Sequence, residues 1–382
     1  MKKILFISHD ASRTGAPIVL LTFLEWLKQQ GKYELTLFLK HGGEIESRFQ
    51  NITSTYLPAQ KTLSQRIVKR VLKKSNEEEN VLPQALLGQH FDLVYLNTVV
   101  CLDLAPAVKS AFKCPVICHV HENEFTIRNY YPAFVTADNL QAVDHFISVS
   151  QSTQNNLAAN YGVSSGKITR ISPFVRLSNI TMPSVTADAA RQELGLTDEI
   201  IIGGSGITIW RKGVDLFMQL AVELDKLMPG NNIKLLWVGA LTHEFSCQYA
   251  YEAERLGIRD KIIFTGNKAA PQNYFQLFDV FTLTSREDPF PLVAIEAASF
   301  NKPVVCFEQA GGMPEFVNDG ENGYVIPYGD VNAMAVKLLE LMDNNNLRLK
   351  MGKQAGKLIA AFDVEIAAPK IVRVIEQLIT NI

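Results

Sequence analysis

Residues Val280–Phe307 read VFTLTSREDPFPLVAIEAASFNKPVVCF. A β-rich apolar run, Val280–Thr284, enters a polar loop with two prolines. Leu292–Ser299 then repeats apolar residues at helical spacing, and Pro303–Phe307 returns to a β-rich run. Strand, loop, helix and strand in this order predict a βαβ unit. Its strands are apolar throughout because a parallel sheet is covered on both faces.

The same alternation extends in both directions. Ile200–Gly206, Lys234–Gly239, Ile262–Thr265 and Gly323–Ile326 read as strands, and Gly213–Leu227 as a helix. The first half repeats the scheme with strands at Lys3–Ser8, Glu34–Leu39, Leu93–Leu96, Val116–His119 and His145–Val149, and a helix at Pro17–Gln29. The pattern predicts two doubly wound α/β domains in tandem, 1–180 and 181–362. The boundary is expected near Arg176–Thr186, where periodicity is lost, and a last helical pattern at about 363–382 is expected to return to the first domain. A length of 382 residues, at roughly 150 per domain, agrees with two.

Composition removes several classes. Apolar residues make up 47% and charged residues 20%, which excludes a disordered chain. The mean hydropathy of +0.05 and the lack of any run near 18 apolar residues argue against an integral membrane protein. Met1-Lys2-Lys3 opens like a signal peptide, but the apolar run that follows ends after Ile7 and reads as a first buried strand. Five cysteines (Cys101, Cys114, Cys118, Cys247, Cys306) show neither C-x-x-C nor zinc spacing. We expect buried thiols in a reducing, cytoplasmic setting. The net charge of −2 argues against a nucleic-acid partner, yet it is uneven: residues 1–180 carry 19 basic and 14 acidic side chains, residues 181–382 carry 18 and 25. The two halves are expected to meet different partners.

Several segments fall where strands run into loops, the ligand-binding edge of such sheets. Ser8–Pro17 is a small-residue loop opening a helix at Gly15-Ala16; it lacks the G-x-G-x-x-G dinucleotide fingerprint, and a turn without a ligand stays open. His119 and His121 alternate at the end of a strand and share a face, as a polar cleft lining, a metal pair or a structural pair. Gly203-Gly204-Ser205-Gly206 precedes Trp210-Arg211-Lys212-Gly213, whose adjacent cations suit a departing diphosphate or are simply solvated. In Thr284–Ala297, amides around Phe290 and Leu292 flank a helix start, with Asp288 and Glu296 on either side of it. That arrangement suits phosphates, sugar hydroxyls and a ribose diol, or else a helix cap and a surface acid. Gln309–Glu315 adds a glycine turn, Gly311-Gly312, through which backbone can approach a ligand closely. No Asp-x-Asp pair occurs, so the cations and helix-start amides must meet diphosphate charge.

Gly15-Ala16, His121-Glu122, Arg211-Lys212-Gly213, Asp288 to Glu296, and Gly311-Gly312 with Glu315 together resemble the family-4 retaining glycosyltransferases of the GT-B fold. The resemblance spans nearly the whole chain and is most specific from Ser285 to Pro303. It implies two Rossmann-like doubly wound domains facing a cleft, and retention of anomeric configuration without metal or other cofactor. A nucleotide sugar, UDP-glucose being favoured, would sit on the C-terminal domain. The hexose would pass to a saccharide or lipid-linked glycan acceptor in polysaccharide or glycoconjugate biosynthesis.

By the same resemblance Glu296 holds the ribose, Arg211 and Lys212 the diphosphate, Asp288 with Gly311 and Gly312 the donor sugar, and Asn267 sits beside the base. His121 lines the sugar pocket; Gly15, Ala16, Gly206, Phe290, Leu292 and Val293 complete the donor contacts. The chain departs from the family's pattern in having Asp288 for Glu, Pro291 for Gly and Ile207 for Arg, with Arg211 standing in for the last. Rival readings are a nucleotide-sugar epimerase or phosphorylase on this fold, or a non-catalytic sugar-nucleotide-binding subunit. Lys61–Lys74 carries six cations and no acid, with Leu63, Ile67 and Val71 at helical spacing. Such a segment would lie on an anionic inner membrane face at roughly 1 kcal/mol per cation, or present a solvated face.

Overall fold

The apolar runs assemble into two all-parallel sheets in the computed structural model, which describes residues 1–58, 82–180 and 183–380. The first sheet contains β1 (Lys2–Ser8), β2 (Tyr33–Leu39), β3 (Ser54–Tyr56), β4 (Leu93–Asn97), β5 (Val116–Val120), β6 (His145–Ser148) and β7 (Ile168–Arg170), in the order β3-β2-β1-β4-β5-β6-β7. The second contains β8 (Ile200–Ser205), β9 (Ile233–Val238), β10 (Ile262–Phe264), β11 (Val280–Leu283), β12 (Val304–Phe307) and β13 (Gly323–Ile326), in the order β10-β9-β8-β11-β12-β13. Strand order reverses beside β1 and beside β8. Such switch points open a crevice at the carboxyl ends of the strands. Both domains are Rossmann-like, as expected.

Two strands, β3 and β7, escaped the sequence reading. Each has three residues, occupies a sheet edge and mixes polar with apolar side chains, so neither yields a run long enough to register. The central strands are legible because Ile4–Ile7 and Val94–Leu96 are at most 1% exposed. Burial of each such side chain is worth roughly 1.5–3 kcal/mol. The chain forms two compact units: unit 1, comprising Met1–Val149, Thr153–Ile171 and the chain from Ala368 onward, and unit 2, comprising Ser150–Ser152 and Ser172–Ala367. Glu376, on the helix Val364–Thr380, accepts hydrogen bonds from Lys32 and Tyr33 within unit 1.

The amino edges of the sheets are sealed. Asp92, Asp144 and Asp279 each precede a strand and accept the N–H of a neighbouring one, from Lys3 (2.7 Å), Val116 (2.7 Å) and Ile201 (2.8 Å). These bonds satisfy strand-end donors that would otherwise be open.

Cys101, Cys114, Cys118 and Cys306 are buried as expected, but Cys247 is exposed, which corrects the expectation for it. It lies on the helix His243–Arg255, whose inward face is marked by Tyr249 and Ala253; a position two residues from Tyr249 turns to the opposite side. Among the described residues no helix is long and apolar enough to cross a membrane, and no group of three or more His, Cys, Asp or Glu could hold a metal ion. The cationic segment 61–74 lies outside the described residues.

Candidate functional site

In unit 2 the turn after β8 and the loop after β11 are laced together. Arg211 O accepts the amides of Arg286 (2.7 Å) and Glu287 (3.3 Å), while the Arg211 guanidinium donates to Glu287 O (3.2 Å). Thr284 Oγ1 donates to Gly213 O at 2.8 Å. This approach requires glycine at 213: φ is +63°, and a Cβ there would stand 1.9 Å from Thr284 O.

The lacing delivers Lys212 onto Asp288. They form an ion pair whose side chains are only 12% and 8% exposed. Burial pulls the Lys212 ammonium below its usual range, Asp288 opposes that shift, and Arg211 reinforces it. Gly206, at the end of β8, leaves room for the Lys212 stem: a Cβ at Gly206 would lie 3.3 Å from it.

Asp288 is itself fixed by the loop after β12. Its amide donates to Ala310 O (2.7 Å), and its carbonyl accepts the Gly312 amide (3.3 Å). Gly311 has φ +141°, and a Cβ on it would sit 1.7 Å from Asp288 O. The two glycines are therefore backbone spacers that bring this turn against Asp288. Phe290 is buried, its ring 5.3 Å from that of Phe362. Leu292 and Val293 open the helix Leu292–Ala298, where first-turn amides have no partner within the helix. Glu296 is partly buried on its second turn.

Gly206, Arg211, Lys212, Asp288, Gly311 and Gly312 thus meet on the β8, β11 and β12 ends. Asn267 does not join them. It is exposed after β10, the sheet's edge strand, and its neighbour Lys268 pairs with Glu193 at 2.9 Å. One element was missed by the sequence reading. Arg286 binds Asp215 through two hydrogen bonds (2.8 and 2.6 Å), donates to Trp210 O (2.9 Å) and lies over the Trp210 ring at 5.0 Å. Burial would raise the Asp215 carboxyl, but Arg286 overrides it and holds the group below the usual range. Its partners are 71 residues apart, so no local pattern announces the pair.

In unit 1, Gly15 and Ala16 begin the helix Gly15–Gln30 beside β4, and Asn97 Nδ2 donates to Ala16 O (3.2 Å). His121 follows β5, its ring centroid 4.1 Å from that of His119. Glu122 accepts the amides of His121 (3.0 Å) and Val99 (3.2 Å). Burial pushes both imidazoles down, His119 to about 3 and His121 well below its ordinary value, with His119 and His9 adding to the latter. Both rings are neutral at pH 7.

Comparison with known proteins gives two adjoining family matches. Residues 13–179 match Glycosyltransferase Family 4, and residues 186–358 match Glycosyl transferases group 1. Among curated relatives, the capsular polysaccharide biosynthesis glycosyltransferase CapM of Staphylococcus aureus is 28% identical over 167 residues, 43% of this chain and 42% of that protein. The D-inositol 3-phosphate glycosyltransferase of Corynebacterium efficiens is 24% identical over 285 residues, 70% of this chain and 67% of its own. For a second such enzyme, from Streptomyces avermitilis, the share of that protein is 50%, so the chain spans about half the length of the curated relatives it matches. Anabaena HepE in complex with UDP-glucose superposes with a TM-score of 0.79 at 21% identity, over 99% of this chain and 100% of that one.

Proposed function

The chain belongs to the family-4 glycosyltransferases of the GT-B fold, and from that premise we propose that it transfers a hexose from UDP-glucose to a saccharide or lipid-linked glycan acceptor, with retention and without a bound metal. The observation that carries this reading is the buried Lys212–Asp288 pair beside Arg211, at the switch point of the second sheet. An isolated buried pair is a poor source of stability, so its place at a ligand-binding edge favours a functional role.

The diphosphate competes with Asp288 for the Lys212 ammonium. Binding transfers Lys212 to phosphate oxygens and frees a carboxylate oxygen of Asp288 for hydroxyls of the sugar. Arg211 and the amides of Leu292 and Val293 add donors where charge grows as the sugar–phosphate bond breaks. Glu296 takes the ribose diol. The acceptor oxygen bonds to the anomeric carbon on the face the diphosphate leaves, and its proton passes to a phosphate oxygen. Unit 1 takes the acceptor, and neutral His121 meets a sugar hydroxyl. The UDP-glucose in the HepE structure supports the choice of donor.

The test is thermal unfolding with UDP, UDP-glucose, GDP-sugars and NAD in the presence of EDTA. A ligand at about 100 times its dissociation constant raises stability by roughly 2.7 kcal/mol. A shift with UDP-glucose that Glu296→Ala abolishes supports the reading. A response to GDP-sugars alone changes the donor, and a response to NAD alone overturns the proposal.

A further inference from the structure

The assignment of His121 to the sugar raises the question of what holds its ring, and this inference rests on that assignment. β4 and β5 are paired with Tyr95 opposite Ile117, so His119, two residues on, projects from the same face as Tyr95. Tyr95 is 1% exposed and packs against Phe6 (5.2 Å) and Phe23 (6.1 Å). Its hydroxyl lies 2.7 Å from Nδ1 of His119, itself 2% exposed. Among the described residues Nδ1 is the one hydrogen-bond partner of this hydroxyl, and donation to it is the arrangement that leaves the buried O–H hydrogen satisfied. Nδ1 is therefore the acceptor, and the neutral ring carries its proton on Nε2. Among the described residues, Nε2 of His119 and Nε2 of His121 are both buried without a hydrogen-bond partner.

We propose that Tyr95 and His119 are positioning residues: the Tyr95 hydroxyl locks His119 in its Nε2–H form, and this fixed, uncharged ring is the wall that orients His121 toward a sugar hydroxyl. Protonating His119 would turn Nδ1 into a donor to the Tyr95 oxygen and leave the hydroxyl hydrogen buried without its acceptor. The result would be a cation against the His121 ring. Of the titratable groups beside the pair, His9, 3.4 Å from Asp10, acts in the same direction on His121, and the Glu122 carboxylate is engaged by the His121 and Val99 amides. Burial, which holds both rings far below the ordinary histidine range, acts in the same direction.

The test uses the full chain labelled with ¹⁵N-histidine, seven residues in all, in long-range ¹H–¹⁵N spectra from about pH 5 to 9, beside steady-state UDP release. In the wild type, His119 is expected to show a protonated Nε2 and a bare Nδ1, with neither His119 nor His121 titrating. Tyr95→Phe keeps the ring but removes the lock. It is expected to mix the His119 tautomers, shift the His121 resonances and lower kcat by on the order of 10- to 100-fold, with donor KM little changed. His119→Gln, which retains an amide donor, is expected to keep more activity than His119→Phe.

A wild-type His119 that carries its proton on Nδ1 overturns the proposal. So does one that titrates in this range, or a Tyr95→Phe spectrum with His121 unmoved. Should Tyr95→Phe not fold, the wild-type spectrum decides. An inactive wild type sinks the transfer reading, while the tautomer still decides the lock.

Discussion

The carboxyl edges of the two sheets occupy equivalent places and are built from opposite chemistry. In unit 1 the edge carries Asp10, the Lys40–Asp103 pair and the Glu122 carboxylate, but between them lie neutral polar groups that are buried and, among the described residues, incompletely satisfied: Asn97 Oδ1 and Nε2 of both His119 and His121 have no partner. Thr98 between them holds φ +84°, strained for a β-branched residue. In unit 2 the corresponding edge is charged and cross-linked, with Lys212 on Asp288 and Arg286 on Asp215. A buried charge needs a partner far more than a buried imidazole does, which is why only the second edge is so heavily bonded. On the proposed function the charged edge meets an anion that displaces one of its partners, and the neutral groups meet hydroxyls that supply missing ones.

The largest effect is expected at Lys212. Lys212→Met leaves the Asp288 carboxylate buried and alone, at about 3–5 kcal/mol of stability, and is expected to reduce kcat/KM for UDP release by about 10²–10³-fold. Adding Asp288→Asn neutralises the stranded charge and is expected to restore most of the melting temperature but none of the rate. A Lys212→Met enzyme within a few-fold of wild type would show that the charged edge does not meet the diphosphate.

The neutral edge is tested by acid. The folded pKa of His119, about 3, lies below the unfolded value, and that of His121 is also depressed. Their contribution to stability is present above about pH 6.5 and is lost as pH falls from there toward the folded values, because only the unfolded chain takes up the protons. Each ring adds a slope of roughly 1.4 kcal/mol per pH unit. Urea midpoints are expected to fall as pH drops from about 7 to 5 in the wild type, and to fall less steeply in His119→Phe, which keeps the His121 contribution. A flat wild-type profile would show that the imidazoles charge freely in the folded protein.

Much of this was legible in the sequence, and the omissions have a common cause. Long buried runs such as Lys3–Ser8 and Val280–Thr284 announce central strands, and Gly213 and Gly311 mark places where backbone must pass within contact of backbone. Candidate segments with a local signature stand out in the sequence: Arg211-Lys212 after a strand, Asp288 before a helix. What stayed hidden depends on pairing across the sheet. The Tyr95 hydroxyl finds His119 only because β4 lies beside β5, and Arg286 finds Asp215 only because β11 lies beside β8. Cys247 was misjudged because helix His243–Arg255 has one covered face, and composition does not say which.

Arg286 and Asp215 sharpen the comparison by separating support from contact. Asp215→Asn removes the charge from a pair whose side chains are 17% and 37% exposed, which is worth about 1 kcal/mol. Because Arg286 also donates to Trp210 O, the turn carrying Lys212 is expected to loosen, and kcat to fall by roughly 10-fold. Binding of UDP, measured by calorimetry, is expected to weaken less than kcat falls. Equal losses in both would make the pair part of the binding surface itself.

The smallest effect is expected at Asn267, and it asks how far the charged edge extends. The family resemblance puts this residue beside the base, yet it follows β10 at the margin of the sheet, with β9 between it and β8, and its side chain is exposed. A hydrogen bond made from an exposed position exchanges with water and is worth about 1 kcal/mol, several-fold in affinity. Asn267→Ala is therefore expected to weaken UDP binding about five-fold and leave the preference for UDP over GDP nearly unchanged. Gly266 has φ +71°, so the backbone there is already turned, and it is this backbone, more than the amide side chain, that would meet the ring edge of the base. Calorimetry with both nucleotides decides the matter. Were Asn267→Ala to abolish the preference, the donor site would reach the edge strand through a side chain, and the charged region would be wider than the β8, β11 and β12 ends.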